Sequence, residues 1–494
     1  MASTPRPSLY IDGSWCRARN GGTREIINPA DSSVIAIVDE ASAVDARAAV
    51  AAARAAFDHS PWRHCPVSER VGLLERIAEL LLRDREEIAR IETLDTGKTL
   101  RESFIDVDDV VSVFRYYARL LAVSSERLVD VGDPAIISRV VREPIGVAVL
   151  IAPWNYPLLQ ISWKVAPALA AGATMVLKPS EVTPLSTVEL VRVAQEAGVP
   201  PGVLNLLQGS GAAVGKALVD NPLVDMISFT GGASTGTGIA RDAAPHVSRV
   251  ALELGGKNPH IVFADADWQS AVDAVVTGAF LHSGQVCSAG TRLIVHRSIA
   301  DDFVAAVATR AEAIRFGDGM DPASQTGPLV SMAHREKVEG YVALGLEEGA
   351  TLVTGGIRPT DARFAQGSFF PPTIFDHCDR AMRLVIEETF GPILTVERFD
   401  TEEQAVELGN DTSYGLAAGV RTADAAQAER VARALRHGTV WVNDFGVYTA
   451  AAEWGGFGKS GNGRELGPTG LSEYQEHKHI WTNTSPREGG WFSD

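Results

Sequence analysis

The 494-residue chain sets 45 Lys and Arg against 62 Asp and Glu, for a net charge of −17 and an isoelectric point near 5.2. That acidity argues against a nucleic-acid surface or an anionic membrane as partner. The length calls for two or three lobes, each able to bury a core, and 45% hydrophobic with 22% charged residues is ordinary for a globular enzyme.

The N-terminus, MASTPRPSLYIDGSW, lacks the apolar core of a signal peptide, and no apolar run reaches the ~20 residues of a membrane helix. Cys16, Cys65, Cys287 and Cys378 lie far apart without metal-site spacing. They read as reduced thiols of a cytoplasmic protein, with no disulfide framework and no metal. Residues 41–57 and 67–91 follow the helical period, the second with an apolar stripe of Leu73, Leu74, Ile77, Leu80 and Leu81. From Ile145 the pattern becomes short apolar runs (147–151, 174–177, 204–207, 226–230) alternating with helical ones (161–171, 185–197, 212–220). Such alternation predicts a doubly wound parallel α/β sheet with ligands at the strands' C-terminal ends. A second alternating series follows Gly255, with strands expected over 291–296, 393–396, 417–421 and 439–442. Two strand-capable pieces, 136–142 and 473–484, fit neither series, and an exposed strand of that kind calls for a partner. The final ten residues, SPREGGWFSD, read as a loose or docked tail.

Three segments carry chemistry. FLHSGQVCSAGTR (280–292) sets Cys287 among small residues that would admit a carbonyl compound, LELGGKNP (252–259) supplies Glu253, and PWNYP (153–157) supplies Asn155. A lone cysteine is most often a small core residue. A thiol, a carboxylate and an amide donor together make up a nucleophile, a general base and an oxyanion donor. With LKPSE, FTGG, EETFGP, WVND and GGFGKSGNGRELG in the same order, the chain resembles the NAD(P)-dependent aldehyde dehydrogenases over nearly its whole length.

The resemblance implies an NAD-binding domain from 1–121 and 145–254, a catalytic domain from 255–465, and an oligomerisation arm and tail from 122–144 and 466–494. It also implies a homodimer or homotetramer. QGSGAAVG (208–215) nearly spells a dinucleotide fingerprint, but its third glycine is one residue late. FTGGASTGTG is the better phosphate site, where Gly231 and Gly232 let the backbone approach a pyrophosphate ahead of a helix N-terminus. Lys178 and Glu181 stand where an adenine ribose would lie, and the carboxylate favours NAD over NADP by repelling a 2'-phosphate. Without the family they read as a solvated charge pair in a turn. Glu388 resembles the family's nicotinamide-ribose ligand, Phe390 the ring beside the nicotinamide, and Trp154 belongs to the same cofactor set.

The implied reaction is oxidation of a small-molecule aldehyde to the acid. Cys287 forms a thiohemiacetal and then a thioester, Asn155 holds the oxyanion, Glu253 activates the hydrolytic water, and Glu465 relays the proton or simply starts a helix. Tyr156, Trp163 and Trp454 coincide with positions lining the substrate funnel of betaine aldehyde dehydrogenases, where rings attract a quaternary ammonium. The same rings can equally be core. The fourth aromatic found six residues before the cysteine in plant members is Leu281 here. The expected reaction is betaine aldehyde to glycine betaine. An ω-aminoaldehyde or general aliphatic dehydrogenase is the alternative, and a cysteine hydrolase would need no dinucleotide site.

Overall fold

The computed structural model describes residues 7–485 and residue 490, so most of the C-terminal tail lies outside the described residues. Its largest sheet has eight strands in the order Gly461–Asn462, Arg249–Leu254, Met226–Gly231, Val147–Ile151, Thr174–Lys178, Leu204–Leu206, Leu9–Ile11, Ser14–Cys16. The five strands from Arg249–Leu254 to Leu204–Leu206 run parallel. Val147–Ile151 and Thr174–Lys178 are buried at every position, which is why they read as continuous apolar runs and not as alternating ones. Their C-terminal ends line up, so Pro153 to Asn155, Lys178 to Glu181, Gly231 and Gly232, and Glu253 all emerge along one edge of the sheet.

A second sheet of seven strands runs Thr351–Thr354, Thr373–Asp376, Ile393–Phe399, Arg292–His296, Pro259–Val262, Ala417–Arg421, Thr439–Val442. It is parallel except at Thr351–Thr354. The strand-capable pieces outside both series pair with each other: Gln475–Asn483 lies antiparallel to Ile136–Pro144 over nine residue pairs, with Arg127–Val129 on the other side. Leu128, Ile137 and Trp481 are exposed on this ribbon.

Helix Pro157–Ala171 shows how local chemistry positions the site. Proline at its first position lacks the N–H that a helix start leaves unpaired, and Gly172 at φ +88° closes the C-terminus in the left-handed region. Every residue of this helix is buried. Tyr156 is therefore its N-cap and not a residue on the same helical face as Trp163, although both reach one cavity.

Two expected helices differ. The stretch 67–91 is broken at Asp84 into Val67–Arg83 and Arg85–Thr96. One apolar stripe runs through both, so periodicity does not reveal the break; the Asp84 carboxylate is held by Arg83 at 2.7 Å and caps neither helix. The stretch 212–220 is a five-residue π turn, Gly211–Gly215, followed by a short helix, Lys216–Val219. The widened turn lines a cleft at the strands' C-terminal ends through Gly211 and Gly215, with the Lys178 methylenes about 3.9 Å from a Cβ built at Gly215.

Candidate active site

Cys287 follows helix Trp268–Phe280 through a tight turn in which His282 (φ +48°) and Ser283 (φ +54°) both adopt the left-handed conformation. Two consecutive non-glycine residues there need support. Ser283 receives it from Thr326 and Gly327, donating its hydroxyl to the Gly327 carbonyl at 2.6 Å. Beyond the turn, Asn258 donates to the carbonyls of Cys287 (2.9 Å) and Ala289 (3.0 Å) and accepts from the Ala417 N–H, pinning the cysteine loop to the second sheet. Asn155 donates one amide hydrogen to the Gln285 carbonyl at 2.8 Å, which fixes the amide plane two residues from the thiol.

Cys287, Glu253 and Asn155 line one cleft of about 680 Å³. Burial, with Glu388 and Glu253 nearby, pushes the thiol up to about 12. Burial, then the neighbouring Glu465, holds the Glu253 carboxyl well above the usual range. Both Glu253 oxygens are buried without a hydrogen-bond partner among the described residues, so the carboxyl is left to engage what enters the cleft. Gly455, at φ +151°, makes room for it: a Cβ there would stand 2.6 Å from Glu253 Oε1. Behind Glu253 lies an ion pair between Glu465 and the fully buried Lys164, whose ammonium also donates to Thr230 (2.7 Å) and Ser228 (3.1 Å).

The rest of the cleft suits a dinucleotide. Gly232 is the N-cap of helix Ala233–Ala243, and Gly231, Gly232 and Thr235 line the cleft, so the helix N-terminus with its unpaired backbone N–H groups borders it. Lys178 pairs with Glu181 at 3.2 Å along one wall. Burial lowers the Lys178 ammonium; for Glu181, burial works upward, but the Lys178 charge together with hydrogen bonds from Lys178 and the backbone leaves the carboxyl below its ordinary range. Glu388 accepts from the Gly256 N–H at 3.0 Å, and burial raises its carboxyl to about 7. A Cβ on Gly255 would sit 2.0 Å from the Glu388 oxygens, so a larger residue there would displace that carboxylate. Trp154 and Phe390 meet edge to face at 5.2 Å, with His334 against the Trp154 ring at 5.0 Å.

Cys287 also opens onto a second cavity of about 380 Å³, lined by Tyr156, Trp163, Tyr448, Trp454 and Phe445. Trp163, Tyr448 and Trp454 pack edge to face with centroids 5.3–6.1 Å apart and form a continuous ring wall. Tyr156 stands apart from them, with the Lys98 ammonium 3.9 Å over its ring and His282 at its edge. Glu102, Asp106 and Asp109 add an acidic face from helix Leu100–Val123. Lys98 neutralises Asp106 at 2.5 Å, while Asp109 accepts from the Tyr448 hydroxyl at 2.6 Å. Leu281 lines the mouth and is exposed.

Two adjoining chambers, one suited to a dinucleotide and one to an organic cation, thus share a single thiol. The profile of the aldehyde dehydrogenase family matches residues 15–480. The chain belongs to the aldehyde dehydrogenase family. It is 53% identical to betaine aldehyde dehydrogenase of Bacillus subtilis over 486 residues, 98% of this chain and 99% of that one. It is 41% identical to the peroxisomal aminoaldehyde dehydrogenase 2 of Pisum sativum over 494 residues, covering 99% of this chain and 98% of that one. The crystal structure of a Staphylococcus aureus betaine aldehyde dehydrogenase in complex with NAD+ superposes with a TM-score of 0.97 at 48% identity, over 99% of this chain and 97% of that one.

Sequence reading missed several residues of this aldehyde dehydrogenase's clefts. Asn258 was in plain view within LELGGKNP, and an amide two residues past a glycine pair could have been flagged. Asp106 and Asp109 resemble any solvated helix face until tertiary packing turns them toward the aromatic wall. His334, which bonds the Phe390 carbonyl at 2.8 Å, comes from a distant helix with no local signal. The fingerprint near-match set aside on its spacing lines the same cleft as Cys287, through Gly211 and Gly215.

Proposed function

We propose that this aldehyde dehydrogenase oxidises betaine aldehyde to glycine betaine with NAD as cofactor. The observation that carries the substrate is the wall of Trp163, Tyr448 and Trp454 backed by Asp109, in a chamber that reaches Cys287. A quaternary ammonium cannot donate a hydrogen bond, so π faces and a nearby carboxylate are the means of holding it. The 53% identity to the Bacillus subtilis betaine aldehyde dehydrogenase supports the same reading.

In this mechanism Cys287 is the nucleophile; burial keeps the thiol mostly protonated, so the sulfur attacks as the minority thiolate after its proton has passed to solvent through the open cleft. The Asn155 amide and the Cys287 backbone N–H hold the oxyanion of the thiohemiacetal. Trp154, Lys178, Glu181, Gly231, Gly232, Glu388 and Phe390 hold the cofactor, and the Lys178–Glu181 pair favours NAD over NADP. The chemistry supplied by bound NAD is acceptance of one hydride from the substrate carbon. Glu253 then takes a proton from the water that hydrolyses the Cys287 thioester, and Glu465 with Lys164 carries that proton away. Removal of an oxyanion donor such as Asn155 costs ~10²–10³-fold in rate.

The domain reading follows the same logic: residues 1–121 with 145–254 bind cofactor, 255–465 complete the catalytic half, and 122–144 with 466–494 form the arm of a homodimer or homotetramer. The exposed Leu128, Ile137 and Trp481 on the antiparallel ribbon support it. We place the enzyme in the cytoplasm, on the reading of its four free cysteines as reduced thiols. Among the described residues no helix is long and apolar enough to cross a membrane.

One observation favours a second substrate class. Asp109 could accept from a primary ammonium, and the 41% identical Pisum sativum relative is an aminoaldehyde dehydrogenase. A panel of betaine aldehyde, ω-aminoaldehydes and neutral aliphatic aldehydes, assayed with NAD and NADP by absorbance of the reduced cofactor, decides between them. Highest kcat/KM for betaine aldehyde with NAD, abolished in Cys287→Ala, is the expected result. A wild type that ignores betaine aldehyde but turns over aminoaldehydes would overturn it.

A further inference from the structure

The ring of Phe445 occupies a slot that three separate backbone segments have been thinned to admit. A Cβ added to Gly278 would stand 2.8 Å from that ring, one at Gly290 also 2.8 Å, and one at Gly419 2.6 Å. Gly278 lies inside helix Trp268–Phe280 and Gly419 inside strand Ala417–Arg421. Glycine costs stability relative to alanine at such positions, so three of them converging on one ring mark a requirement for space there. The fourth side is His260, stacked on the ring at 4.5 Å and 18°. The loop that delivers Phe445 is itself fixed. Asn443, at φ +53°, clamps the Thr422 backbone with both ends of its amide, at 3.2 Å and 2.9 Å.

Trp441 also lies against the ring at 4.7 Å, and what these neighbours leave uncovered is wall of the Cys287 chamber, together with Ser288 and Ala289. Phe445 therefore fills a glycine-walled recess off that chamber, floored by His260. We propose that Phe445 is a specificity-determining residue that sets the depth of the acyl chamber beside Cys287 and thereby excludes bulky aryl aldehydes. The ring is a plug: its truncation joins the recess to the chamber, and the class of ligand the enlarged chamber takes is a flat two-ring aryl group. This rests on the proposed role of the chamber in holding the aldehyde, so its test reads chamber size separately from turnover.

The measurement is the rate at which Cys287 is alkylated, followed at the Cys287 peptide by mass spectrometry, with iodoacetamide as the small probe and 2-(bromomethyl)naphthalene as the bulky one. In both, the thiolate sulfur displaces halide at carbon, so neither cofactor nor aldehyde takes part. Phe445→Ala should raise the bulky-to-small rate ratio by ~10-fold or more over wild type. Adding Gly278→Ala to that variant places a methyl in the recess and should return part of the gain. The same order should hold for kcat/KM with 2-naphthaldehyde relative to betaine aldehyde. A ratio within twofold of wild type in a folded Phe445→Ala protein would make the ring ordinary core and overturn the proposal. Should Phe445→Ala not fold, Phe445→Leu keeps much of the volume; a rise in the ratio supports the plug and an unchanged ratio refutes it. If alkylation follows the expected order but no aldehyde is oxidised, the proposed function fails while the plug stands.

Discussion

The partly buried carboxylate of Asp109 should make the enzyme prefer a cation. Asp109 accepts from the Tyr448 hydroxyl at 2.6 Å, and the Tyr448 ring lies against Trp163 at 5.3 Å and Trp454 at 6.1 Å. Asp109→Asn keeps an acceptor for that hydroxyl and nearly the same volume while removing the charge. A cation on the open side of the ring wall lies roughly 7 Å from the carboxylate, where a unit pair is worth ~2.4 kcal/mol at an effective dielectric near 20. Partial exposure of Asp109 roughly halves this through screening. The remaining ~1.2 kcal/mol predicts about an eightfold loss of kcat/KM for betaine aldehyde. The neutral isostere 3,3-dimethylbutanal should lose less than about twofold, because it gains nothing from the charge. Burial raises the Asp109 carboxyl even though the Tyr448 hydrogen bond works the other way, so its charged fraction grows with pH. The wild-type preference for the cation should accordingly rise with pH through that ionisation, and the Asn variant should be flat. Equal losses for both aldehydes would show that Asp109 only positions Tyr448, and no loss at all would sink the electrostatic account.

Glu253→Gln keeps the shape of the carboxyl but cannot take a proton, so stopped-flow should show a burst of reduced cofactor followed by slow turnover; disappearance of the burst would mean that Glu253 also deprotonates Cys287. Glu181→Ser removes the carboxylate paired with Lys178 at 3.2 Å and should narrow the ratio of kcat/KM for NAD over NADP, whereas an unchanged ratio would reduce Glu181 to a surface charge. Trp454→Ala should lower kcat/KM about tenfold for betaine aldehyde, ~1.4 kcal/mol, and much less for the neutral isostere; parallel losses would mark the ring as packing. Burial holds the cofactor-free thiol up at about 12, so the thiolate fraction rises with pH and iodoacetamide should label Cys287 about tenfold faster per pH unit from neutrality to pH 10. A plateau below pH 9 would contradict the buried, protonated thiol.

The parallel strands and the nucleophile's neighbourhood were legible in the chain because their determinants are local. A strand buried on both faces, such as Val147–Ile151, must be apolar throughout, and small residues on either side of a cysteine mark a thiol that a substrate can approach. Family likeness added the order of the motifs, and with it the cofactor and the reaction. The break at Asp84 and the π turn at Gly211–Gly215 were not legible, since one apolar stripe runs through the first and nothing in the residue pattern of the second separates a π turn from an α turn. The composition of the substrate chamber was settled only in three dimensions. Asp109, Trp163, Phe445 and Tyr448 come from two helices and one loop as much as 339 residues apart, and Tyr448 means little until its hydroxyl meets Asp109. Whether an aromatic residue is core or wall depends on which face the rest of the protein leaves open, and no periodicity in the chain encodes that.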